Sequence, residues 1–187
     1  QLTEFKDTYS KAETAYAILS EIKLPKKAVS TATFDRDKVL AKAEEVVALS
    51  DRKKLCKDII SAHTLELERF AGWGDLDVEN FQYLASKGII LSLYEIPREA
   101  YVSIPETIET MVVNENKSLV RFMLIQHGEA GSTLANAHRP ADMPAEAYAV
   151  PMISSSSKKL RDEIVALKDE IVSIDKALAE AALDRQL

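Results

Sequence analysis

The sequence predicts an α+β protein in which antiparallel coiled-coil helices bear a small ferredoxin-like α/β lobe. Three observations predict it. Heptad-spaced apolar residues occupy both ends of the 187-residue chain. A cluster of β-branched and aliphatic segments lies between them, and a Gly-Trp-Gly-Asp sequence marks the passage from one character to the other. Apolar residues make up 47% of the chain, enough for a core, while only five glycines and 6% aromatic residues favour long helices.

The C-terminal signal is the strongest. Leu160, Ile164, Leu167, Ile171, Ile174 and Leu178 alternate spacings of four and three, which is a heptad seam that another helix must cover. Ser154 to Ser157 offer helix starts, and neither Gly nor Pro follows before Leu187. At the other end Leu2, Phe5, Tyr9, Ala12, Tyr16 and Leu19 repeat in the same way until Pro25, which cannot continue a helix. The simplest reading pairs these two helices antiparallel, with both seams running off the ends as if cut from a longer coiled coil.

A linker at Lys26 to Thr33 precedes a helical region from about Asp35 to Phe70. Its inner stripe reads Val39, Ala43, Val46 and Leu49, then Cys56, Ile60, His63, Leu67 and Phe70. The polar run Ser50 to Lys54 predicts a break, with Ser50 or Asp51 capping a new helix. In Ala71–Asp77 two glycines flank the only tryptophan. Asp77 is placed to cap a short helix through about Ser86, ended by Gly88. Strands are expected at Ile89–Ile96, Thr107–Val113, Leu119–Gln126 and about Ala147–Val150. The turn residues 114–117 make the middle two a hairpin, and 128–146 is a loop with one helical turn. The order is that of a split βαβ unit whose second helix is reduced. The expected divisions are a truncated coiled-coil helix at 1–24, a helical segment at 25–72, the lobe at 73–153 and a second truncated coiled-coil helix at 154–187.

The composition excludes several function classes. A net charge of −6 with interleaved signs does not offer the basic face that nucleic acid needs. One cysteine, Cys56, makes neither an internal disulfide nor a cysteine-based zinc site. Lys54 and Lys57 beside it would activate an exposed thiol, but on the seam it reads as a small buried apolar residue. No apolar run approaches the roughly 20 residues that span a bilayer. There is no phosphate loop, nucleophile elbow or HExxH motif. His63 lies on a core stripe, and His127 and His138 have no thiol or carboxylate at ligand spacing. Glu44 and Glu45 are sequential neighbours on a solvated face. Trp73 reads either as a buried plug or as an exposed partner anchor, and the flanking glycines favour the plug. No catalytic, cofactor-binding or metal-binding residue is assigned, and no cofactor or small-molecule substrate is called for.

Trp-Gly-Asp-Leu-Asp at 73–77, a short helix to Lys-Gly at 87–88, the strand Ile-Ile-Leu-Ser-Leu-Tyr-Glu-Ile-Pro at 89–97, the Pro-containing stretch at 148–153 and the long heptad helix form a pattern. Over about 65–187 it resembles the cytoplasmic region of V-type ATP synthase subunit I, the prokaryotic counterpart of eukaryotic V-ATPase subunit a. The resemblance implies a non-catalytic stator component, held on the cytoplasmic side of the cell membrane as the soluble part of an integral membrane subunit. It also implies the helical peripheral-stalk heterodimer as partner, a link to the membrane sector through the rest of the chain, and support of proton or sodium transport. The excised half-seams could also self-associate. Segment 128–146 lacks a clear second lobe helix. The alternatives are a generic coiled-coil adaptor and a small ferredoxin-like enzyme or ligand-binding domain, for which His127 with His138 would be the nominees.

Overall fold

A computed structural model describes residues 2–22 and 36–184, so Pro25 and the Lys26–Thr33 linker lie outside the described residues. The elements in chain order are α1 (Leu2–Ser20), α2 (Arg36–Phe70), a 3-10 turn (Ala71–Trp73), α3 (Val78–Ser86), β1 (Ile89–Pro97), α4 (Arg98–Tyr101), β2 (Thr110–Glu115), β3 (Leu119–His127), a second 3-10 turn (Leu134–Asn136), β4 (Tyr148–Val150) and α5 (Ser157–Asp184). They form two compact units. One comprises Gln1–Ala62 with Glu163–Leu187, and the other His63–Asp162.

The first unit is helical, and its core draws on three helices where the sequence suggested a pair. Ala15 and Leu19 of α1, Ala43 and Val46 of α2, and Ile174, Leu178, Ala181 and Ala182 of α5 are all buried together. Small residues from each helix let the backbones approach closely. Lys11 meets Glu44, while Ile22 and Lys57 line a common cleft, so α1 runs parallel to α2. The seam assigned to α1 is corrected: Tyr9 and Tyr16 are 66% and 61% exposed, and the inward positions are Ala12, Ala15, Ile18, Leu19 and Ile22. The side chains of Leu2 and Phe5 lie outside the described part.

The predicted break at Ser50–Lys54 is absent, because α2 is one unbroken helix. Its seam positions run Val46, Leu49, Lys53, Cys56 and Ile60, alternating three and four without interruption. The polar residue that suggested a break occupies a seam position. Lys53 answers Asp175 of α5, and the neighbouring Arg52 answers Glu170. Apolar continuity is replaced there by charge pairing. Val39, read as an inner residue, is 44% exposed.

The second unit is the lobe. The end of α2 enters it at Phe70, which is buried, and Leu76 and Ser157 bind each other's backbone N–H: Ser157 N–H donates to Leu76 O at 2.8 Å and Leu76 N–H to Ser157 Oγ at 3.2 Å. Asp77 caps α3 as expected, accepting from Glu79 N–H at 3.0 Å. Gly88, at φ +86°, ends the helix with its N–H on Ala85 O. The four strands are antiparallel in the order β2-β3-β1-β4, the ferredoxin-like order. The first crossover contains the four-residue α4 and the second only a 3-10 turn. The second strand starts at Thr110 rather than Thr107, because Ile108 N–H turns back onto Pro105 O.

The central strands are buried on both faces, which explains their near-continuous apolar sequences. Leu93 and Met123 face a cluster with Phe70, Trp73, Leu76, Phe81, Ile153 and Leu160. Tyr94, Ile96, Val120, Phe122 and Leu124 face the other way, under Met143, Ala147 and the residues of the first crossover. Phe122 stacks on Tyr94 and takes Tyr101 edge-on, each at 5.6 Å between centroids.

Candidate interaction surfaces

In the helical unit Arg52 binds Glu170 bidentately, Nε to Oε1 at 2.6 Å and Nη2 to Oε2 at 2.8 Å. The same hydrogen bond is the main reason that the Glu170 carboxyl titrates below, and the Arg52 guanidinium above, its ordinary value. The Cys56 thiol is a further, lesser cause that lowers the Glu170 carboxyl. Cys56 itself is fully buried on the seam, as the sequence indicated. The consequence for stability has a definite sign. A depressed carboxyl contributes above its unfolded pKa and loses that contribution as pH falls through its folded value. Glu170→Gln should therefore lower the urea midpoint at neutral pH, and the gap from the parent should close on acidification. A gap that stayed constant across the titration would contradict this.

A cleft of about 540 Å³ lies where α1 ends. It is floored by Ile18, Ile22 and Leu178 and edged by Ser50, Lys54 and Lys57.

In the lobe, the partly buried pair Arg121–Glu95 sits across β1 and β3 in register, Nε to Oε1 at 2.7 Å. Gly72 lies against this guanidinium, and a Cβ there would stand 2.5 Å from Arg121 Nη1. Asn114 donates to Gly72 O at 2.8 Å. Trp73 is 3% exposed, so it is a core residue and not a surface anchor. Its indole N–H has no partner among the described residues. A smaller cleft of about 250 Å³ opens beside β1 where β4 stops, lined by Leu91, Leu134, Val150, Met152, His138 and Arg139. Arg139 is engaged by the backbone, donating to Ala147 O at 2.6 Å and Pro144 O at 2.5 Å. Burial raises the Tyr94 phenol pKa, against the opposing charge of Arg139.

The two nominated histidines have separate partners. His127 Nε2 lies 3.0 Å from Glu109, and the His138 ring contacts Gln126. His63 is half-buried on α2, and Glu44 pairs with Lys11 at the surface. Among the described residues no three His, Cys, Asp or Glu side chains gather to hold a metal, and no helix is long and apolar enough to cross a membrane. Sequence reasoning missed Arg52, Glu170 and Arg121. The signal available for the first was two basic residues interrupting an otherwise regular seam.

No family model matches the chain. It is similar to V-type ATP synthase subunit I 1 of Treponema pallidum (strain Nichols), with 27% identity over 129 residues. That match covers 69% of this chain, and the chain spans only 19% of that relative's length. Among solved structures, its fold is similar to that of the cytoplasmic N-terminal domain of subunit I, homolog of subunit a, of V-ATPase. The TM-score is 0.52 at 10% identity, covering 98% of this chain and 64% of that one. The resemblance read from residues 73–97 and the heptads is therefore supported by sequence and by fold, and the α+β class is borne out.

Proposed function

We propose that this chain is a cytoplasmic arm segment of a rotary V-type ATPase or ATP synthase, acting as a non-catalytic stator element. The observation that carries the reading is the coincidence of two similarities to subunit I, one in sequence and one in fold over nearly the whole chain. In this role the helices at 1–24 and 154–187 belong to a coiled-coil arm and residues 73–153 form its distal lobe. The arm links the ion-translocating membrane sector to the peripheral stalks and supports proton or sodium transport. Physical reasoning favours the role. A stator must resist torque, and helices packed along a shared seam resist bending better than one helix, because bending either strains its contacts with the others.

The chain should bind the helical peripheral-stalk heterodimer of the same source in a calorimetric titration, and charge or size substitutions on the lobe surface should weaken that binding. Absence of any heat or co-migration with the heterodimer would count against the stator role. Binding to unrelated coiled coils with equal strength would favour the general adaptor instead.

A further inference from the structure

The seam between α2 and α5 is unevenly covered within the helical unit. Where α1 lies over it, Ile174 and Leu178 are each 5% exposed and Val46 is fully buried. Beyond the end of α1 the same seam is only half-buried at Ile60, Leu167 and Ile171. On α5, Val172 and Val165 follow on the α1 side, 68% and 59% exposed. The groove that receives α1 thus continues after α1 has stopped.

We infer that this open stretch is a docking groove for an acidic amphipathic helix of a partner protein. The shape argument comes from α1, which shows that the groove accepts a helix running parallel to α2. The charge argument comes from the rim. Lys54 and Lys57 of α2 and Lys168 of α5 are exposed and make no ion pair among the described residues. Of the two acidic groups lining the cleft where α1 ends, Asp175 is already engaged by Lys53, and Glu21 belongs to the end of α1 and not to the rim beyond it. Asp58 stands two heptads on from Glu44, on the far rim, where Glu44 meets Lys11. A helix following the track of α1 therefore meets apolar residues on the floor and unneutralised lysines along the near rim. Residues 23–35 of the chain itself carry Lys23, Lys26 and Lys27 against Asp35 alone, and so lack the complementary charge. Charge matching of this kind chooses among partners more than it sets affinity.

The test uses the full chain and two synthetic helical peptides of about three heptads, each with leucine at the seam positions, one flanked by glutamate and the other by lysine. Fluorescence anisotropy should show the glutamate peptide binding at least about tenfold more tightly. The charge-reversed variant K54E/K57E/K168E should invert that preference, and V165E/V172E should weaken both peptides. Circular dichroism checks that helix content is kept, and the single variant K57E, at an exposed position, gives a milder test that should narrow the preference. Equal binding of the two peptides, no binding of the glutamate peptide, or a preference unchanged by charge reversal would overturn the inference. So would sedimentation showing that the chain dimerises through these same positions, since the occupant would then be a second copy.

Discussion

Phe122→Ala should be the most damaging single truncation in the lobe. The Phe122 ring is fully buried in the middle of β3, stacked on Tyr94 and met edge-on by Tyr101, with Val120 and Leu124 on the same face. That face is covered by irregular crossovers and a four-residue helix, whose Tyr101 and Met143 already pack in the same cluster and would have to leave their own places to refill the space. Removing a buried phenylalanine costs about 3–5 kcal/mol through lost transfer energy and the remaining cavity. For a unit of this size that corresponds to a fall in melting temperature of roughly 15–30 °C. Hydrogen exchange should show the loss in β1 and β3 amides. A variant whose urea midpoint matched the parent would contradict the placement of this ring.

Gly88→Ala should be nearly as costly, for a reason of backbone and not of burial. Gly88 is left-handed at φ +86°, and a Cβ there would lie 2.6 Å from Gly128 O. The carbonyl of Gly88 also accepts from Gly128 N–H at 2.8 Å, so the two segments cannot separate without losing a bond. Left-handed strain alone costs about 1–2 kcal/mol, and the clash with fixed backbone raises the expected total to roughly 2–4 kcal/mol. Gly74→Ala is the control. It has positive φ but open space around its Cβ position, so it should show the strain without the clash. Equal destabilisation by the two substitutions would refute the close approach at Gly128.

Much of the lobe was legible because its signals are local. Asp77 before an apolar run and Gly88 after it act within a few positions and fall where expected, whereas the hairpin turn expected at 114–117 lies at 116–118, because Asn114 and Glu115 still pair with Arg121 and Val120 in the ladder. The split βαβ order followed from counting strands and reduced crossovers. The helical unit was harder because its rules are relational. Heptad spacing says that a face is covered, but not by which helix or by how many. Tyr9 and Tyr16 fit the same seam by spacing as Ala12 and Leu19, but the structure leaves both tyrosines exposed and buries Ala15, one position before Tyr16, in the three-helix core. The break assigned to Ser50–Lys54 failed for a related reason. A lysine in a seam looks like an interruption until the aspartate that answers it, far away in sequence, is known. Of the candidate surfaces, only Cys56 and Trp73 could be placed from sequence, both as buried residues.

That lysine has one more consequence. The aliphatic seam of α5 is nearly periodic, so sliding α2 along it by one repeat would still set apolar residues against apolar residues. The charges as a set are not periodic. Moved one repeat in one direction, Arg52 would meet Glu163 in place of Glu170, but Lys53 would face Lys168 in place of Asp175. Moved the other way it would face Ala182, and Arg52 would lose Glu170 for Ala177. The grease of the interface states that the two helices adhere, and the two ion pairs state at which notch.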